Sequence, residues 1–249
     1  MKYDALMPND PGESHSAEIS VRPQTIAPWF HAVFLLVVLT LWATSSALRL
    51  NLPANVMSHY MTYTSGTIIQ CMLVGSTIAG LYHRRQFITS VLGPFTRQNL
   101  LRDLATGIAT YVGALCLLAF LNLAIRFTPL HLTHNSDVVR AIAPHSLSEL
   151  GLWMVVSLAA GTCEEFVFRG YLQRQLTCWF RAVPIAIGVS SLFFGCLHFY
   201  QGTTGVLQVT VLGLVYGIIA TWRGNLRSVM IAHFLQDAIT GTVIYMRHH

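Results

Sequence analysis

Six ionisable residues stand within otherwise apolar sequence in the last third of this 249-residue chain: Glu164, Glu165, Arg169, His198, His233 and Asp237. Their types are those needed to activate a water molecule toward a carbonyl: a carboxylate to move a proton, imidazoles to position the water, and further charged groups to hold both in place. Zinc is one way of completing such a set, with His198 and His233 as its candidate ligands.

Helical spacing gives these residues geometry. Glu165 and Arg169 are four apart, share a helix face and can pair, each offsetting the other's desolvation. Glu164 then points about 100° away around the helix and is left without its own cation, which suits it to taking and returning a proton. A purely structural ion-pair network joining helices explains the same three residues. In SLFFGCLHFY, Phe194 precedes His198 by one turn, and a lone histidine there is either a hydrogen-bonded residue or a ligand. In IAHFLQDAITG, His233 and Asp237 are again four apart. Asp237 can orient the imidazole, share a metal with it, or form a relay or structural pair with it.

The medium decides what these charges mean. The chain is 53% hydrophobic and only 10% charged, against about 25% charged in soluble domains. Apolar runs of spanning length recur at Trp29–Leu48, Tyr60–Tyr82, Leu104–Phe127, Leu147–Gln173, Val183–Tyr200, Gly205–Trp222 and Ser228–Met246. The fold class expected is therefore an all-α, polytopic membrane bundle of about seven transmembrane helices. Residues 1–27 read as a polar, disordered tail, residues 28–146 as N-terminal membrane helices and loops, and residues 147–246 as the helices carrying the polar motifs within the same bundle. A charged side chain at mid-membrane costs about 2.5–3.5 kcal/mol on insertion scales, so six of them clustered in sequence imply one shared polar cavity.

The net charge of +5 and pI near 9.1 come from scattered arginines rather than a basic stripe with interleaved aromatics, which excludes a nucleic-acid partner. The five cysteines lack zinc-ribbon or disulfide-framework spacing. Arginines concentrate in alternate loops, at 84, 85, 97, 102, 174, 181, 223 and 227, which places the N-terminus in the cytoplasm. The stretch FITSVLGPF, between basic residues, is either an interfacial amphipathic segment or a plain loop.

The three motifs, Glu164-Glu165 with Arg169, Phe194 with His198, and His233 with Asp237, resemble in order and separation the signature of the CPBP family. This family of CAAX proteases and bacteriocin-processing proteins is related to type II CAAX prenyl endopeptidases. The resemblance covers roughly Leu147–Met246. It implies an intramembrane hydrolase, metal-dependent or metal-free, with Glu164 as general base and His198 positioning the water or a metal. It further implies that His233, with the residue four later, stabilises the oxyanion or completes the site, while Glu165 and Arg169 form the supporting pair. Asp237 departs from the asparagine commoner in the prenyl-protease branch. An ionised aspartate has no N–H to donate, so the substitution favours orienting His233 or binding metal over oxyanion stabilisation. The expected activity is intramembrane endopeptidase cleavage of a membrane-associated protein or peptide, prenylated or not, with the lipid bilayer as the other partner. A non-catalytic scaffold or sensor retaining the pocket, and a small proton-coupled transporter, are the alternative readings.

Overall fold

The computed structural model describes residues 25–50, 58–129, 132, 133 and 135–248. Of the polar tail expected over 1–27, residues 1–24 lie outside these. Ala27 is fully buried, and its backbone exchanges hydrogen bonds of 3.1 Å in both directions with the side-chain amide of Gln175.

All regular structure among the described residues is helical. The order is α1 (Trp29–Leu50), α2 (His59–His83), short α3 (Ile88–Leu92), α4 (Arg97–Arg126), α5 (Ser136–Ile142) and α6 (Leu147–Glu165). A π-helical segment (Phe166–Leu172) continues α6 into α7 (Gln173–Phe180). After it come α8 (Val183–Cys196), a 3-10 turn (Phe199–Gln201), α9 (Gly202–Arg223) and α10 (Arg227–His248). Among the described residues, five stretches are long and apolar enough to cross a membrane: His59–His83, Arg97–Arg126, Leu147–Phe180, Phe199–Arg223 and Arg227–Arg247. Trp29–Ser45 and Val183–Cys196 are shorter apolar helices beside them. Apolar side chains at 104, 108, 112 and 115 run exposed along one face of α4, as a lipid-facing stripe must.

Helix starts follow local chemistry. Ser58, Thr96 and Ser146 sit just before α2, α4 and α6, and their hydroxyls accept from the backbone N–H three residues on, satisfying donors the helix leaves open. Thr96 starts α4 well before the apolar run expected from Leu104, so Asp103 belongs to a helix and not to a loop. Asp103 is fully buried and binds Arg223 at 2.7 Å, Arg227 at 2.6 Å and the amide of Asn225 at 3.2 Å, tying α4 to the turn between α9 and α10. Arg227 also donates to the carbonyls of Leu92, Gly93 and Pro94, and Arg174 to those of Ser90 and Val91. FITSVLGPF is thus not a free loop, and it leaves Phe87, Ile88 and Phe95 exposed. Its short α3 buries Val91 beneath the arginine-rich end of the bundle.

The helix beginning at Leu147 runs past Gly170 to Phe180, and the section containing Arg169 is π-wound and buried throughout. Val183–Cys196 has 14 residues, a rise of about 21 Å, so it stops short of the span expected to Tyr200 and the chain turns back at His198. The close approach of α6 and α10 brings the motifs together. A Cβ on Gly161 would lie 2.8 Å from the backbone nitrogen of Phe234, next to His233. Gly161→Val is therefore expected to force α6 from α10 and destabilise the protein by about 1–3 kcal/mol, read as a lower unfolding temperature in detergent.

Candidate active site

Glu165 is fully buried, and one of its oxygens, Oε1, takes two charge-assisted contacts. Arg169 Nη1 donates to it at 2.9 Å and His233 Nδ1 at 2.8 Å. The pairing expected between Glu165 and Arg169 is present, formed across the start of the π segment. Arg169 lies 4.5 Å from the ring centroid of Phe194 and 5.7 Å from that of Tyr216, so aromatic faces take up charge that hydrogen bonds leave unmatched. Gly213 leaves room for it, since a Cβ there would approach Arg169 Nη2 to 3.2 Å and Ser191 Cβ to 2.9 Å.

Glu164 turns the other way. Its Oε1 accepts 2.9 Å from the side-chain amide of Gln70 on α2, so the carboxylate expected to stand unpartnered has a neutral donor. Its Oε2 is 3.9 Å from His233 Nε2. The orientation of His233 also departs from expectation. Asp237 Oδ2 lies 3.6 Å from Nε2, beyond hydrogen-bond distance, whereas Glu165 holds Nδ1. Glu165, not Asp237, orients the ring. Asp237 is instead fixed through its backbone, whose carbonyl accepts from Trp153 Nε1 at 2.9 Å.

His198 stands between α8 and the 3-10 turn. Its Nδ1 lies 2.9 Å from the Phe194 carbonyl, which can only accept, so Nδ1 carries the proton and Nε2 is left as an acceptor. The Phe194 ring packs against both histidines, with centroids 4.9 Å from His198 and 6.2 Å from His233. Phe194 therefore supplies the His198 carbonyl partner, a face for Arg169 and the spacer between the imidazoles.

A cavity of about 960 Å³ opens among α2, α6, α9 and α10, lined by Gln70, Glu164, His198, Tyr216, His233 and Asp237 among others. Four of the six residues expected to share one polar cavity line it, while Glu165 and Arg169 stand behind the wall as its support. Gln70 Oε1 and Ser157 Oγ are buried at its edge without a protein partner, polar atoms that water or a peptide group can satisfy. Two imidazole Nε2 atoms and two carboxylates are donors of the kind zinc takes, and each histidine has its Nδ1 fixed as zinc-binding imidazoles commonly do. As placed, no three His, Cys, Asp or Glu side chains among the described residues converge to hold a metal ion. Gln70 could not be singled out in the sequence, because glutamine in a long apolar helix carries no spacing signal and its partner is 94 residues away.

The fold and site define a helical membrane protein with a carboxylate–imidazole centre buried in its bundle. Comparison with known proteins agrees with the resemblance drawn from the motifs: residues 146–239 match the family described as Type II CAAX prenyl endopeptidase Rce1-like. That match supports a CAAX-type intramembrane protease at the level of the family. The chain is also 28% identical over 127 residues to "Uncharacterized protein YpbD" of Bacillus subtilis (strain 168), an alignment covering 50% of this chain and 61% of that protein. No solved structure matches the chain significantly.

Removing Arg169 leaves a fully buried carboxylate with only His233 to balance it. Arg169→Met is expected to cost about 3–5 kcal/mol, seen as a large drop in unfolding temperature. An unchanged unfolding temperature would show that the Glu165 contacts contribute little to the fold.

Proposed function

We propose that the protein is an intramembrane endopeptidase that hydrolyses a peptide bond in a membrane-associated protein or peptide, with Glu164 as general base. The observation carrying this reading is the division of labour between adjacent glutamates. Glu165 is consumed in holding Arg169 and His233, whereas Glu164 faces a large cavity with one oxygen near His233 Nε2.

In this reading a water molecule sits between Glu164 and the Nε2 of His198, which accepts one of its hydrogens. Glu164 removes a proton as the water oxygen bonds to the peptide carbonyl carbon. It returns that proton to the amide nitrogen as the C–N bond breaks, leaving a carboxylic acid and an amine. Gln70 fixes the carboxylate through its amide N–H, and Glu165 fixes the His233 ring so that Nε2 faces the reacting groups. The arginine-rich end is assigned to the cytoplasm, with the N-terminus on that side.

Glu164→Gln keeps the shape and the Gln70 neighbour but removes the base. It is expected to lower kcat by at least a hundredfold at unchanged unfolding temperature. Retained turnover would reject the assignment, and binding of a membrane partner that survives both Glu164→Gln and His198→Ala without any cleavage would favour a scaffold. Zinc is tested by metal content in detergent-purified protein. Near-stoichiometric zinc lost in His198→Ala and His233→Ala would make those residues ligands, whereas metal-free protein that cleaves would leave the water to Glu164 and the histidines.

A further inference from the structure

The segment between α2 and α4 takes no part in the site described above, and its surface is not that of a solvated loop. α2 ends at His83 and α4 starts at Arg97, both helices of spanning length, so the residues between them lie at a bilayer surface. Phe87 is 76% exposed and Phe95 74%, one on each side of α3, and Ile88 is exposed with them. Around these rings Arg84, Arg85, Arg97 and Arg102 are exposed as well. The acid nearest to the four in sequence, Asp103, is fully buried and taken by Arg223 and Arg227, which leaves their charges facing outward. Trp222 is exposed beside Arg223 at the same end of the bundle, where an interfacial aromatic belongs.

The same segment is fastened from within to the helix that carries Arg169. Val91 is buried against Gly170, where a Cβ would lie 2.5 Å from Val91 Cγ1. Arg174 donates to the carbonyl of Ser90 at 2.6 Å and to that of Val91 at 3.2 Å. Gly93, at φ +79°, turns the chain so that Arg227 reaches the carbonyls of Leu92 and Pro94 on either side of it. α3 is therefore two-sided: its inner face is bonded to the helix with the π segment, and its outer face presents apolar rings among guanidinium groups.

From this arrangement we propose that α3 and its four flanking arginines dock onto anionic phospholipid headgroups of the surrounding bilayer, and that the docked segment clamps the helix bearing Arg169. Phe87, Ile88 and Phe95 enter the boundary between headgroups and acyl chains, where apolar side chains are favoured over water. The guanidinium groups take the phosphates, whose oxygens their paired N–H groups match. A zwitterionic headgroup carries a cation beside its phosphate, whereas an anionic one keeps its negative charge, so four arginines together favour the anionic lipid. The more negative leaflet is the cytoplasmic one, the side to which the arginine-rich end is assigned. Headgroups that hold the outer face keep the inner face against Gly170 and Arg174. The proposal needs no peptide cleavage and stands or falls apart from the protease reading.

The test uses the full chain in lipid nanodiscs of phosphatidylcholine, alone or mixed with phosphatidylglycerol, and reads amide hydrogen exchange by mass spectrometry. Phosphatidylglycerol is expected to slow exchange about tenfold over residues 84–97 and, together with them, over residues 166–180. The fourfold variant Arg84→Gln, Arg85→Gln, Arg97→Gln, Arg102→Gln is expected to bring both regions back to their rates in phosphatidylcholine. Equal rates of the parent protein in the two lipids, or a slowing that survives in the fourfold variant, overturns the docking. If that variant does not fold, the pairs Arg84→Gln, Arg85→Gln and Arg97→Gln, Arg102→Gln are read separately. Each pair is expected to lose part of the slowing, and a slowing kept whole by both overturns the docking too. A response confined to residues 84–97 overturns the clamp on the helix bearing Arg169. Soluble glycerol phosphate added to phosphatidylcholine discs is expected to change neither region, and a slowing there would give the arginines to a free phosphate and overturn the lipid assignment.

Discussion

Burying a carboxylate in the middle of a membrane bundle is the constraint on which the rest of this structure depends. Glu165 has no exposed surface, and an isolated charge in that position would be expelled or neutralised. The protein answers with two partners on a single oxygen, Arg169 from the π segment of the same helix and His233 from α10. Arg169 in turn needs surroundings of its own, which α8 supplies through Phe194 and α9 through Tyr216 and the space beside Gly213. One buried charge therefore dictates residues on four helical segments. Its second effect is to fix an imidazole in the wall of a cavity.

The unequal fates of Glu164 and Glu165 follow from helix geometry alone. Neighbours on a helix point about 100° apart, so when one is drawn into the helix packing the other must face elsewhere. Here that direction is toward α2, where Gln70 meets it with a neutral donor rather than a cation. The distinction is one of charge: a cation at that place would form a second buried ion pair, whereas an amide fixes the position of the carboxylate without adding charge to the cavity wall.

Much of this was legible in the sequence, for reasons that differ by residue. Charged residues are costly in lipid, so Glu164, Glu165, Arg169, His233 and Asp237 stood out without a structure, and a spacing of four correctly predicted the Glu165–Arg169 pair. The same rule misled at His233. Asp237 is at the right spacing and on the same helix, yet the hydrogen bond goes to Glu165, 68 residues away in sequence. A local rule cannot see a competitor that only packing delivers. Asp103 was hidden for a related reason. The basic residues around it read as a loop, while Thr96 starts the helix ahead of them and Arg223 and Arg227 arrive from the far end of the chain to neutralise it. The π winding left no mark in FVFRG beyond a glycine whose Cβ would strike Val91.

The depth of His198 shows how length becomes function. A helix of 14 residues cannot cross about 30 Å of hydrocarbon, so α8 ends within it and must turn back there. Such a turn leaves backbone groups without helical partners at a depth where water is scarce, and an open loop in that place would be unstable. The structure resolves this by making the turn itself polar and protein-covered. The His198 ring takes the Phe194 carbonyl, and Asn135 of the preceding segment contacts the turn through the carbonyls of Gln201 and Tyr200. A histidine at the end of a short helix is thereby held in the wall of the cavity that Glu164 also lines, by the same bond that leaves its second nitrogen as an acceptor. The shortness of α8 and the orientation of His198 are one solution to one problem, and lengthening the helix to span the membrane would carry the imidazole away from the cavity it lines together with Glu164.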